Sequence, residues 1–171
     1  MFNYGNIKSF ITKIALGATF LGLAIFIFLA LLSYNPNDIG FGSTNSQNVI
    51  SNWTGLYGAY LISILMVFFN YTSSFFIIFF FTYGLRLILG INFKLILLKF
   101  FLLLVGIFIL NLTLALINIK AGLVGNFSKK IIEKSFQEYL EIGVILWSVT
   151  IILGIFSLLL IYSSLNIKII N

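Results

Sequence analysis

Long apolar runs separated by short polar stretches dominate this chain. The first runs from Ile14 to Leu32, 19 residues, long enough for a helix to cross a bilayer. A basic start before a hydrophobic stretch also fits a signal peptide. The run exceeds the usual signal core of about 7–15 residues and no small-x-small cleavage site is evident, so it reads as a retained span. The second run, Leu56 to Leu89, holds 34 residues without a charge before Arg86. As one helix it is about 51 Å long, against a hydrocarbon core of about 30 Å. The polar patch Asn70-Tyr71-Thr72-Ser73-Ser74 invites a hairpin. Each half would then reach only about 21 Å, and a turn in lipid would leave backbone groups unpaired. The patch holds no proline or glycine. The expectation is one long tilted helix, protruding on the cytoplasmic side, with Arg86 at a rim where neighbouring chains or helices meet.

A third run covers about Phe100 to Ile117 and a fourth about Ile142 to Tyr162. Residues 128–141 differ. Ile131, Ile132, Phe136, Tyr139 and Leu140 recur at helical spacing, while Lys129, Lys130, Glu133, Lys134, Glu138 and Glu141 take the other face. That is an amphipathic helix lying in the membrane interface or against the bundle. Small residues four apart, Ala18 with Gly22 and Ala15 with Thr19, offer the first span a packing face, and Thr150 with Gly154 offers one to the last. The expected fold is an all-α integral membrane protein, a single domain over 1–171. Its four transmembrane helices cover about 14–33, 56–87, 99–118 and 142–163, with one short amphipathic interfacial helix over about 128–141.

The most informative polar stretch is Leu31-Leu32-Ser33-Tyr34-Asn35-Pro36-Asn37-Asp38-Ile39-Gly40. Pro36 is the only proline, and the residue before a proline is pushed out of the helical region, so the first helix ends by Asn35. Asn35, Asn37, Asp38 and Gly40 supply turn chemistry. Tyr34 stands where an apolar helix leaves the membrane, a position that suits a ring with a polar tip, and Trp53 and Tyr57 mark the next crossing.

Composition fixes the class: 61% hydrophobic and only 8% charged residues exclude a soluble domain. Cysteine and histidine are absent, which removes disulfides, thiolate ligands, imidazole ligands and the commonest general base. The net charge of +6 is scattered over tails and loops, so it reads as a topology signal, with no direct nucleic-acid contact expected. With both termini in the cytoplasm, Lys8, Lys13, Arg86, Lys94, Lys99 and Lys168 lie inside. Lys120, Lys129, Lys130 and Lys134 lie outside with all four acids, a bias of six against four. No GxxxxGK[ST] sequence, HExxH or Ser/His/Asp set occurs, and no acid lies within a span. No catalytic, cofactor-binding or metal-ligating residue is therefore assigned. Asn70 and Asn111 are the strongly polar residues deep in spans, read as interhelical hydrogen bonding or, more sharply, as a conduction path. The residues alone leave three readings: an anchor and assembly module, a small transporter or channel subunit, or a membrane scaffold.

The polar stretch also resembles the loop after the first membrane helix of the FtsK/SpoIIIE family of DNA translocases, where Leu-Ser-aromatic-x-Pro-x-Asp-Pro recurs. Leu32, Ser33, Tyr34, Pro36 and Asp38 match, and Ile39 replaces the second proline. Asn52, Gly55 and Gly58-Ala59 resemble the family's entry into its second span. Ser63 stands where an acidic residue is expected, and Asn70 where a small one is. The resemblance covers essentially the whole chain and implies the family's N-terminal four-helix membrane domain. It further implies a septal anchor in the bacterial inner membrane, serving cell division and chromosome partition. The implied partners are membrane lipid, other copies of the chain and other division proteins. ATP and magnesium would belong only to the family's motor, which is missing here. The chain is then either a fragment of a longer protein or a separate product. The motif positions are expected to act by fixing turns and helix entry.

Overall fold

The computed structural model describes residues 4–42, 50–91, 95–140 and 143–165. Among these residues six α-helices follow one another: α1 (Tyr4–Leu32), α2 (Gly55–Phe69), α3 (Ser74–Ile88), α4 (Ile96–Leu116), α5 (Leu123–Leu140) and α6 (Gly143–Leu165). A single 3₁₀ turn, Asn70–Ser73, joins α2 to α3. Four helical stretches are long and apolar enough to cross a membrane: Ser9–Leu32, Gly55–Ile88, Ile96–Leu116 and Gly143–Leu165. The expected polar tail before Ile14 is helical from Tyr4, and α4 begins four residues before Phe100. Lys94, Lys168 and Glu141 lie outside the described residues, as does the side chain of Lys8.

Two tight helix pairs form the bundle. α1 runs antiparallel to α3, Gly17 lying beside Gly84 and Ile88 while Phe20 packs edge-on against Phe80. At their crossing a Cβ on Gly84 would stand 2.9 Å from the Leu21 backbone nitrogen and 3.0 Å from the Gly17 carbonyl oxygen. Only hydrogen at both positions lets the backbones approach this closely. α4 pairs with α6 in the same manner, Gly106 facing Ile161 and Ser157. An aromatic layer of Phe76, Phe79, Phe80, Tyr83 and Phe100 joins the two pairs. Without a hydrophobic drive between helices in lipid, close packing of this kind has to hold the bundle together.

Several expectations fail here for identifiable reasons. Ala18, Gly22, Ala15 and Thr19 face outward, and nothing lies within 4 Å of a Cβ built on Gly22. The packing face of α1 is Gly17, Ala24, Ile27 and Ala30, which small-residue spacing alone did not single out. On α6, by contrast, Thr150 is buried and a Cβ on Gly154 would stand 3.5 Å from the Thr113 methyl, the face continuing through Ser157, Ile161 and Ser164.

The stretch from Leu56 to Leu89 is not one long helix. Asn70 has φ +53° and ψ −143°, which no helix continues through. This lies outside the left-handed helical region that asparagine commonly visits, and the Asn70 side-chain oxygen accepts from the Tyr71 amide at 2.8 Å. The Thr72 and Ser74 hydroxyls donate to the Phe69 and Tyr71 carbonyls, so groups freed at the break find partners without proline or glycine. The second half is not too short either. Fifteen α-helical residues at about 1.5 Å plus four 3₁₀ residues at about 2.0 Å reach about 30 Å, the thickness of the hydrocarbon core. The turn and α3 therefore supply the crossing.

The surplus is α2, and it sits at the end of the bundle where α1 stops. Its start is tied to the last turn of α1 by Asn52, and the turn after it is tied by Thr72 to Asn111 near the end of α4. α3 ends at Ile88, with Arg86 in its last turn. The guanidinium donates to the Leu165 carbonyl within the same chain at 2.9 Å. Tyr83 and Lys99 donate to the Ser164 and Ser163 carbonyls. Two cations thus meet the negative end of α6, where they are electrostatically favoured.

The amphipathic helix begins five residues before Ser128, at Leu123, and bends at Phe136, where φ is −133°. Its packed side lies at and before the start the sequence reading gave: Gly125 and Ser128 are buried, whereas Ile131 and Phe136 are exposed. A Cβ on Gly125 would run into the Asn111 carbonyl, so α5 docks on α4 through its backbone. Glu138, Tyr139 and Leu140 have side chains outside the described residues.

Candidate functional site: the locked loop between the first two helices

α1 ends because the chain must turn before Pro36, and the freed carbonyls of its last turn are taken up by side chains. Ser33 donates its hydroxyl to the Leu29 carbonyl at 2.7 Å and accepts the Trp53 amide at 2.9 Å. Asn52, 5% exposed, donates to the Ala30 carbonyl at 2.9 Å and to the Ser33 carbonyl at 3.3 Å. One asparagine therefore caps the helix 22 residues before it.

Asp38 is the hub. It is 6% exposed, and its Oδ1 accepts from the Ser51 amide at 3.0 Å and the Ser51 hydroxyl at 2.8 Å. Its Oδ2 accepts from the Asn52 amide at 2.9 Å. Three donors thus compensate the burial of a carboxylate, and two of them are backbone groups that fix the chain's path. Asn35 supports the arrangement, accepting the Asn37 amide and donating to the Ser51 hydroxyl.

The same asparagine that caps α1 starts α2. Its Oδ1 accepts from the Thr54 amide at 3.1 Å and the Thr54 hydroxyl at 2.6 Å. Gly55 follows at φ +69°. A Cβ on Gly58 would collide with the Thr54 hydroxyl, so glycine there is a condition of the turn. Further along, the Ser63 hydroxyl accepts from the Phe41 amide at 2.7 Å, and a Cβ on Gly40 would stand 2.5 Å from it. Where an acidic residue was expected, a small hydroxyl holds the loop against α2.

Of the residues singled out from the sequence, Ser33, Asp38, Asn52, Gly55 and Gly58 converge on this lock, with Ala59 buried beside it. Leu32 and Pro36 are exposed and contribute chain direction instead. Tyr34 is half-buried. Burial first, and the nearby Tyr71 phenol second, raise its hydroxyl above the ordinary range. Sequence reasoning missed Ser51 and Thr54, whose hydroxyls complete the network. Their spacing after Asp38 is set by the loop and carries no local signal.

Asn70 and Asn111 separate in role. Asn70 is not deep in a span but shapes the break. Asn111 is fully buried, donates to the Thr72 hydroxyl at 2.7 Å and to the Ile107 carbonyl at 2.9 Å, and accepts the Gly122 amide at 3.3 Å. It ties α4 to the turn and to the start of α5. Both its polar atoms are satisfied within the protein, so its geometry is that of an interhelical fastener. No group of three metal-ligating side chains occurs among the described residues.

A lipid-length helix bundle fastened by glycine crossings, with its first loop locked to the second helical stretch, defines a four-span integral membrane domain. The chain belongs to the FtsK/SpoIIIE family: residues 10–167 match the 4TM region of DNA translocase FtsK/SpoIIIE. It is also 45% identical over 51 residues to the DNA translocase FtsK of Shewanella oneidensis, a match covering 30% of this chain and 6% of that protein. No solved structure matches.

Proposed function

We propose that this chain is the membrane anchor and assembly domain of a septal, ATP-driven DNA translocase that clears chromosomes from the closing division site. It sits in the bacterial cytoplasmic membrane, associates with further copies of itself and meets other division proteins, and does not itself touch DNA. ATP and magnesium belong to the motor that such a domain carries. The observation that supports this reading is the family match over residues 10–167. The polar chemistry of these residues goes into holding helices and a loop in place, which is what an anchor requires. Depleting the gene product should leave nucleoids straddling closing septa in dividing cells. Normal segregation under full depletion, scored by DNA staining, would remove the DNA link and favour a scaffold.

Both termini lie in the cytoplasm in this proposal. Lys13, Arg86 and Lys99 then face inward, and the Asp38 lock faces outward, in the sense favoured by the distribution of basic residues. The chain has no cysteine, so single-cysteine variants report without background. Trp53 and Leu89 are 71% and 70% exposed at opposite ends of the bundle. Trp53→Cys should react with a membrane-impermeant maleimide on intact spheroplasts, and Leu89→Cys only after permeabilisation. The reverse pattern would invert the topology.

A further inference from the structure

At the same end of the bundle as the Asp38 lock, but on its α4–α5 side, two cavities adjoin. One is polar, about 310 Å³, with Asn70, Asn118, Lys120, Asn126 and Lys129 in its wall. The other is apolar, about 370 Å³, lined by Phe68, Leu123, Val124 and Phe127, with Lys130 at its edge. Asn126 belongs to both walls. The polar cavity opens just before the first turn of α5, where unpaired amides favour negative charge. Lys129 is held in position, its Nζ donating to Asn118 Oδ1 at 2.6 Å and lying 3.4 Å from a Glu133 carboxylate oxygen. Lys120 forms no ion pair among the described residues.

We propose that this pair of cavities is a binding site for one anionic phospholipid. The headgroup phosphate sits between Lys120 and Lys129, with the three asparagine side chains as further partners. An acyl chain lies in the slot between Phe68 and Phe127. The position supports this occupant: the cavities lie where α4 leaves the bilayer, the level at which headgroup phosphates are found. Lysine ammonium groups hold phosphate oxygens through charge-assisted hydrogen bonds on either side of a membrane. A free phosphate would use the polar cavity and leave the apolar slot unexplained.

The test is native mass spectrometry of the full chain in a neutral detergent, titrated with phosphatidylglycerol or phosphatidylcholine. One phosphatidylglycerol should be retained in preference to phosphatidylcholine. At about fivefold per lysine, Lys120→Gln with Lys129→Gln should weaken phosphatidylglycerol retention about twenty-five-fold. Lys134→Gln, a charge on α5 outside both cavities, should leave it unchanged. Phe127→Ala should weaken both lipids alike. Lys120→Gln alone, at an exposed side chain, carries a fivefold loss should the double variant misfold. Equal retention of the two lipids would overturn the proposal, as would an equal loss in Lys134→Gln. Inorganic phosphate binding as tightly as phosphatidylglycerol would overturn it in favour of a free-anion pocket.

Discussion

Asp38→Ala is expected to release the loop between α1 and α2. The substitution leaves the Ser51 and Asn52 amides and the Ser51 hydroxyl without their acceptor, at a place where Asn52 is almost fully buried. Hydrogen bonds to a charged group contribute about 1.5–3 kcal/mol each, and those sharing one carboxylate do not add, so the local loss is about 3 kcal/mol. Hydrogen exchange should show it as a roughly hundredfold drop in protection of the two amides. The effect extends to the helices on either side. Once Asn52 is freed, its bonds to the Ala30 and Ser33 carbonyls and to Thr54 lose their anchor, so the end of α1 and the start of α2 fray together. Asp38→Asn keeps the shape but places an amide nitrogen opposite a donor, and should cost about half as much. Unchanged protection in both variants would show that the network does not hold the loop.

Gly84→Leu is expected to do the most damage to the bundle. A Cβ there already meets the Leu21 backbone nitrogen at 2.9 Å and the Gly17 carbonyl oxygen at 3.0 Å. Backbone atoms cannot swing aside, so three further carbons can be accommodated only by driving α1 from α3. That separation also breaks the contact of Phe20 with Phe80. Overpacking of this kind costs about 3 kcal/mol or more, and the thermal midpoint in detergent should fall by several degrees. Gly22→Leu is the matched control: it is a helical glycine on α1, the other helix of the pair, with nothing within 4 Å of a Cβ there, and its midpoint should not move. Equal losses in the two variants would mean that the Gly17–Gly84 crossing is not special.

The contrast between Gly22 and Gly17 also shows how far the sequence could be read. Four apolar stretches and a surface helix follow from run length and periodicity, because lipid imposes both directly. Which face of a span meets protein does not follow, since a lipid-facing and a helix-facing small residue look alike in one sequence. The break at Asn70 was hidden for a related reason. It uses a positive-φ asparagine, which its residue type does not announce, and hydroxyls bonding back to nearby carbonyls, chemistry that also occurs within continuous helices. The start of α5 was missed because Gly122 and Gly125 pack against backbone there and carry no apolar signal. At the loop, Pro36 and the surrounding asparagines announced a helix stop. That Asp38 and Asn52 stand out at all came from resemblance. That the two hydrogen-bond to each other across 14 residues became visible only in three dimensions.

The septal anchor is most directly tested by the position of the chain in dividing cells. A fluorescent protein fused to residues 1–171, expressed at native level, should concentrate at midcell as the septum forms. Fluorescence spread evenly round the envelope through division would contradict the septal role and leave a membrane domain whose task lies elsewhere.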